Sequence, residues 1–123
     1  MPREVLIIED DPDVLSMLKT SFETGGFAAL TASSGAEAKK VIAAHKSPGK
    51  LLLIVDVALR GENGIGLGVS IYKQLPTIRI LFISGYIDEL LIVNSGLPKE
   101  HADFLRKPFT QAELISAVNR LVA

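Results

Sequence analysis

Short apolar runs alternate along the chain with segments in which apolar residues recur at helical spacing. The runs are rich in Val, Ile and Leu, and "LLLIV" at 51–55 offers no polar side chain to either of its faces. Such a run is typical of a strand that is covered on both faces of its sheet. The pattern predicts five strands, at 5–8, 27–31, 51–55, 78–83 and 102–105.

The segments between these strands carry the end signals of α-helices. Asp11 is suited to cap the first helix, and Pro12 fits its first turn. A glycine-rich stretch at 61–68 falls at the start of the third predicted helix. We expect that helix to be short or mobile, because each interior glycine costs about 1 kcal/mol relative to alanine. Two other helices open with capping-box patterns, formed by Ser34 with Glu37 and by Thr110 with Glu113.

Strands that alternate with helices are joined by crossover connections, which make neighbouring strands parallel. A chain of 123 residues suits one domain. We therefore expect an α/β fold over residues 1–123, a single doubly wound five-stranded parallel sheet with five helices and no output domain. In such folds, ligands bind beyond the carboxyl ends of the strands.

Composition removes several classes of function. The chain has no Cys, which excludes disulfides and thiolate chemistry. Its 13 basic and 14 acidic residues give a net charge of −1, which argues against a surface that binds nucleic acid directly. No apolar run is long enough to span a membrane, so we expect a cytoplasmic protein without membrane insertion.

Charged and hydroxyl side chains follow four of the five predicted strands. Each has an ordinary structural explanation when taken alone, and Asp11 is better explained as the helix cap. Chance is a weaker explanation for all of them together, because the fold gathers the carboxyl ends of its strands at one edge. The residues are Glu9, Asp10 and Asp11 after the first strand, Asp56 after the third, Ser84 after the fourth and Lys107 after the fifth.

Clustered carboxylates repel one another, and an oxygen-seeking cation relieves that repulsion. Mg²⁺ (or Mn²⁺) suits one or two carboxylates together with phosphate. Asp56 can then act as a nucleophile toward phosphorus, with Lys107 and Ser84 placed to bind phosphoryl oxygens. The product of such a reaction is an aspartyl phosphate.

These residues resemble the receiver domain of two-component response regulators over essentially the whole chain. The matching pieces are the acidic pair of "IIED", the aspartate of "LLLIVDVALRGENG", the serine of "LFISGY" and the Lys-Pro of "DFLRKPF". The "SGY" and "FLRKPF" segments also resemble receiver modules that are fused to hybrid sensor histidine kinases. The resemblance implies the flavodoxin-like strand order 2-1-3-4-5.

The resemblance also implies roles for individual residues. Asp56 is the implied phosphoacceptor, and Lys107 and Ser84 contact the phosphoryl group. Phe104, where many relatives have Tyr, shares the conformational switch with Ser84. Ala58 and Tyr86 border the access path to the phosphorylation site. The implied metal ligands are Glu9, Asp10, Asp56 and the backbone carbonyl of Ala58.

The implied partner is a sensor histidine kinase or a histidine phosphotransfer protein. A homodimer or another partner would use the fourth predicted helix, the fifth strand and the fifth predicted helix. Ile92 and Val93 point away from the expected core of the fourth helix, so we expect them to add a partly exposed apolar contact surface.

Two other functions remain open at this point. The first is a Mg²⁺-dependent phosphohydrolase with Asp56 as its nucleophile. Enzymes of the haloacid dehalogenase type carry a second aspartate two residues after the nucleophile, whereas this chain has Ala58. The second is a docking module that acts without phosphorylation, which has no need of the full set of acids, hydroxyl and lysine.

Overall fold

The five predicted strands form one parallel sheet. The computed structural model of the chain describes residues 3–85 and 95–122. The strands are β1 (Glu4–Ile8), β2 (Ala28–Ala32), β3 (Leu52–Asp56), β4 (Arg79–Ser84) and β5 (Ala102–Arg106). Each strand boundary lies within one residue of the prediction. The strand order is β2-β1-β3-β4-β5, which confirms the predicted doubly wound topology.

Four α-helices lie within the described residues, together with a short 3₁₀ turn at Pro48–Lys50. The fourth predicted helix, between β4 and β5, falls on the segment that contains residues 86–94, which lie outside the described part of the chain. None of the described helices has the length and apolar character needed to cross a membrane. The helices are α1 (Pro12–Thr24), α2 (Gly35–Ala44), α3 (Gly64–Gln74) and a C-terminal helix (Gln111–Val122).

The sheet lies between two apolar clusters, one on each face. Alternate residues of each strand point to opposite faces, so Leu53 packs with α2 and α3 while Ile54 packs with α1 and the C-terminal helix. Every residue of β3 is buried, as the continuous apolar run predicts. Burial on both faces fixes the register of the strands, and with it the positions of the residues that follow them.

The helix caps predicted from the sequence are present, with one difference. Asp11 caps α1 by accepting the N–H groups of Asp13 and Val14 at 2.9 and 3.3 Å. Thr110 and Glu113 form the full reciprocal box, with bonds of 3.1 and 3.0 Å. Ser34 caps α2 through the N–H of Glu37, but the Glu37 carboxylate returns to Ser33 rather than to Ser34.

We expected the third helix to be short or mobile, and it is not short, since α3 has 11 residues and α2 has 10. Two of its glycines instead allow close packing. A Cβ added at Gly68 would lie 2.7 Å from Cζ of Phe82 on β4, and one added at Gly64 would lie 2.7 Å from Cα of Val57. Tertiary packing has therefore outweighed the weak helix propensity of glycine. At Gly64 it brings the start of α3 against the end of β3.

Candidate functional site

Three carboxylates meet where β1 and β3 end. The two strands are neighbours, with Ile8 opposite Val55, so Glu9 and Asp56 each lie one residue beyond that pair. One carboxylate oxygen from each of Glu9, Asp10 and Asp56 lies within 4.8 Å of the others. We call these three residues the acidic cluster. Asp11 is not a member of it and caps α1 instead, so the acids of the "EDD" run have separate positions.

Glu9 is the most constrained member of the acidic cluster. It is 2% exposed, and burial, followed by the neighbouring Asp56 carboxylate, raises the pKa of Glu9 from 4.5 to about 8. The N–H of Asp11 opposes this rise by donating to Oε1 of Glu9 at 3.1 Å, and Lys107 opposes it by its charge. Oε2 of Glu9 is buried and has no hydrogen-bond partner among the residues that the structure describes.

Lys107 brings a positive charge to the acidic cluster from the end of β5. Its Nζ lies 3.6 Å from Oδ2 of Asp56. The backbone N–H of Lys107 donates to the carbonyl of Ser84 at 2.9 Å, which fixes the lysine beside the end of β4. The structure therefore brings together the acid and the lysine that the sequence placed at the same edge.

Ser84 ends β4 and is 4% exposed. Asp56 pairs with Ile83, the residue before Ser84, and the N–H of Val57 donates to the carbonyl of Ile83 at 2.9 Å. Ser84 thus lies at the same edge of the sheet as the acidic cluster.

Phe104 lies on β5 opposite Phe82 and is partly buried against the apolar cluster of α2 and α3. Three further residues that the sequence singled out, Tyr86, Ile92 and Val93, lie outside the described residues.

The loop between β3 and α3 closes one side of the site. The N–H of Ala58 donates to Oδ1 of Asp56 at 2.9 Å. The N–H of Arg60 donates to Oδ2 of Asp10 at 2.8 Å, and Nε of Arg60 lies 3.9 Å from the same oxygen. Glu62 extends in the other direction, and its Oε2 accepts the N–H of Gly35 at the start of α2 at 3.0 Å. Hydrogen bonds between backbone N–H groups and carboxylates therefore hold this loop in place on both sides.

Sequence reasoning missed Arg60 and Glu62. Both sit in a glycine-containing loop, where no periodicity indicates the direction of a side chain. Arg60 meets Asp10 through its backbone N–H, which every residue except proline carries. The one available signal was a basic residue four positions after Asp56.

The donor set of the acidic cluster fits a hard divalent cation. It offers carboxylate oxygens, with the backbone of Ala58 beside them, and contains no sulfur or imidazole ligand. Mg²⁺ and Mn²⁺ prefer such oxygen ligands. Oε2 of Glu9 favours a cation, because the described residues donate no hydrogen bond to this buried oxygen and an ionised carboxylate oxygen without a partner is costly.

A cavity of about 720 Å³ lies at the opposite, amino end of the sheet. Arg3, Lys50 and Arg79 contribute to its lining, and no member of the acidic cluster does. Ligands of doubly wound sheets bind at the carboxyl ends of the strands. We therefore assign the chemistry to the acidic cluster and not to the cavity at the amino end of the sheet.

The comparisons with known proteins all indicate the same family. The model of the family described as "Response regulator receiver domain" matches residues 5–119. The transcriptional regulatory protein GltR of Pseudomonas aeruginosa is 28% identical over 122 residues, which cover 98% of this chain and 49% of GltR. The aerobic respiration control protein ArcA of Escherichia coli is 29% identical, over 97% of this chain and 48% of ArcA. The chain thus spans about half the length of these relatives.

Solved structures agree with this result. The response regulator receiver protein from Sinorhizobium medicae superposes with a TM-score of 0.83 at 25% identity, covering 98% of this chain and 94% of that one. Since the family match covers most of the 123 residues, the chain belongs to the response regulator receiver domain family, the signalling domain of two-component systems.

Proposed function

We propose that this chain is a phosphoacceptor switch of a two-component phosphorelay, in which Asp56 receives a phosphoryl group. The donor is a phosphohistidine on a sensor histidine kinase or on a histidine phosphotransfer protein. The observation that carries the proposal is the position of Asp56, which closes β3 within the acidic cluster and has Nζ of Lys107 3.6 Å from its Oδ2.

The chemistry is a single phosphoryl transfer. A carboxylate oxygen of Asp56 attacks phosphorus, a new P–O bond forms, and the P–N bond of the donor breaks. The imidazole nitrogen of the donor leaves with the electron pair and takes up a proton. Lys107 and Ser84 bind the phosphoryl oxygens, so this chain acts mainly by positioning groups and by neutralising charge.

Glu9, Asp10, Asp56 and the backbone carbonyl of Ala58 would hold Mg²⁺ or Mn²⁺. When bound, the cation neutralises the carboxylates and the phosphoryl oxygens, so that an anion can approach the acidic cluster. The orphaned Oε2 of Glu9 supports this assignment.

Phosphorylation adds a charge of about −1.5 to −2 and new acceptor oxygens at Asp56. Ser84 shifts toward these oxygens, and Phe104 repacks on β5 in response. Because Phe104 has no hydroxyl, this part of the switch rests on packing alone. The face that changes includes β5 and the C-terminal helix, which is where a partner or a second copy would dock. In this proposal the chain assists its own phosphorylation and is not a turnover enzyme.

Mass spectrometry of the intact protein tests the proposal. Incubation with Mg²⁺ and acetyl phosphate should add one phosphoryl group to the wild type and none to Asp56→Asn. Asp13→Asn, which removes an exposed acid outside the acidic cluster, should gain the group as the wild type does. The proposal fails if the wild type gains nothing or if Asp56→Asn gains the group equally. Steady release of phosphate from many substrates would instead indicate a phosphohydrolase.

A further inference from the structure

We propose that Arg60 is an internal counter-ion of Asp10, one that competes with the divalent cation and thereby lowers the metal affinity of the acidic cluster. This inference rests on the proposed function, because it concerns the same site. It assigns Arg60 a regulatory role rather than a catalytic one, since the residue acts through Asp10.

The contact has two parts, and only one depends on the type of side chain. The backbone N–H of Arg60 donates to Oδ2 of Asp10 at 2.8 Å, while Nε of the guanidinium group lies 3.9 Å from that oxygen. A substitution at position 60 keeps the N–H, unless it is to proline, and removes only the charge. The contribution of the guanidinium group can therefore be measured separately.

In the metal-free site, a positively charged side chain lies beside two of the three carboxylates. Nζ of Lys107 lies next to Asp56, and the guanidinium group of Arg60 lies next to Asp10. A divalent cation that uses Asp10 binds the same carboxylate that Arg60 attracts. It also experiences the positive charge of Arg60 directly, because charges of the same sign repel. Both effects weaken metal binding.

The exposure of the two partners sets the size of the effect. The side chain of Arg60 is 97% exposed and that of Asp10 is 20% exposed. Water screens an exposed ion pair strongly, so we expect a change of roughly two- to fivefold in the dissociation constant. Salt should reduce this change, since the Debye length falls from about 30 Å at 0.01 M to about 3 Å at 1 M.

Isothermal titration of the metal-free protein with MgCl₂ at low ionic strength tests the inference. Arg60→Gln should bind Mg²⁺ roughly two- to fivefold more tightly than the wild type, and high salt should shrink the difference. Arg60→Lys keeps the charge and should stay close to the wild type. Arg3→Gln removes the same charge near the opposite end of β1 and serves as the matched control.

A second measurement separates a counter-ion from a purely structural residue. In EDTA at low salt, Arg60→Gln should melt at a slightly lower temperature than the wild type, because Asp10 has lost a compensating charge. Tighter metal binding together with lower metal-free stability is the signature of competition for Asp10. A residue that only shapes the loop would lower the stability without tightening metal binding.

Equal or weaker Mg²⁺ binding by Arg60→Gln overturns the inference and leaves phosphorylation of Asp56 untouched. Absence of Mg²⁺ binding by the wild type overturns the metal site and the inference together. Failure of the wild type to take up a phosphoryl group, with the Mg²⁺ titrations as expected, overturns the proposed function alone. The three outcomes are therefore distinguishable.

Discussion

Nζ of Lys107 lies 3.6 Å from Oδ2 of Asp56, although β4 separates β3, which ends at Asp56, from β5, which Lys107 follows. The lysine bridges that strand because its own N–H is bound to the carbonyl of Ser84. The order of the strands thus brings the ammonium group of Lys107 near the carboxylate of Asp56, and the hydrogen bond to Ser84 at the end of β4 holds the lysine at that distance. The ammonium group stands beside the proposed phosphoacceptor before any phosphoryl group arrives.

The first prediction concerns this ammonium group. Lys107→Ala should slow phosphorylation by acetyl phosphate by roughly 10²-fold, because one preorganised charge no longer faces the phosphoryl oxygens. Intact mass followed over time at saturating Mg²⁺ measures the rate. Lys99→Ala, which removes an exposed lysine from the segment before β5, should react as the wild type does. Equal rates for Lys107→Ala and the wild type would contradict the assigned role.

The second prediction follows from the burial of Glu9, whose pKa is raised from 4.5 to about 8. Between these values the folded protein binds more protons than the unfolded chain, so the stability of the metal-free protein falls as the pH rises through this range. Glu9→Gln cannot ionise and should lose less stability over the same range. Thermal unfolding in EDTA at several pH values measures the difference.

Mg²⁺ should reduce the fall in stability of the wild type above neutral pH, because it binds the ionised carboxylate. It should have a smaller effect on Glu9→Gln. Parallel stability profiles for the wild type and Glu9→Gln in EDTA would show that Glu9 ionises normally in the fold.

The third prediction separates chemistry from switching at Ser84. Ser84→Ala removes the hydroxyl group but leaves the ammonium group of Lys107 in place, so the variant should still accept a phosphoryl group. We expect smaller changes on β5 than in the wild type, because the hydroxyl group no longer draws the end of β4 toward the phosphoryl oxygens. NMR shifts of Phe104 with and without beryllofluoride and Mg²⁺ measure this response. A full response in Ser84→Ala would remove the serine from the proposed switch.

The fourth prediction uses two glycines of α3 as a matched pair. A Cβ added at Gly64 would lie 2.7 Å from Cα of Val57, so Gly64→Ala must displace backbone beside Asp56. Outside the backbone of α3, the nearest atom to a Cβ added at Gly66 is 3.9 Å away, so Gly66→Ala meets no obstacle. We expect Gly64→Ala to destabilise the fold by about 1–3 kcal/mol and Gly66→Ala to stabilise it by up to about 1 kcal/mol.

Urea denaturation measures both values. Similar free energies of unfolding for the two variants would contradict the close approach of α3 to the end of β3. Gly64→Ala should also slow phosphorylation, because Asp56 immediately precedes Val57.

The strands and the acidic cluster could be predicted because burial and topology decide them. A run such as "LLLIV" is stable only as a strand buried on both faces, and the carboxyl ends of parallel strands lie at one edge of the sheet. The division of the "EDD" run was also predictable, because the signals for the cap at Asp11 are local. What the sequence could not provide was any contact made by backbone across a loop, as between Arg60 and Asp10.

The length of α3 was mispredicted for a related reason. Helix propensity counts glycine as a cost, whereas the position of Gly68 against Phe82 makes the absence of a side chain necessary. Such a contact depends on the distance between α3 and β4, which no local pattern encodes. The same applies to Glu37, whose carboxylate binds Ser33 rather than Ser34.

The bond between Gly35 and Glu62 gives the site a reporter of its own. The amide hydrogen of Gly35 is bound to a carboxylate of the β3–α3 loop rather than to another residue of α2. Its exchange with deuterium requires this hydrogen bond to open, either because the loop lifts from α2 or because the first turn of α2 frays. The amide resonance of Gly35 therefore reports how often α2 and the loop that borders Asp56 separate, without a label or a substitution.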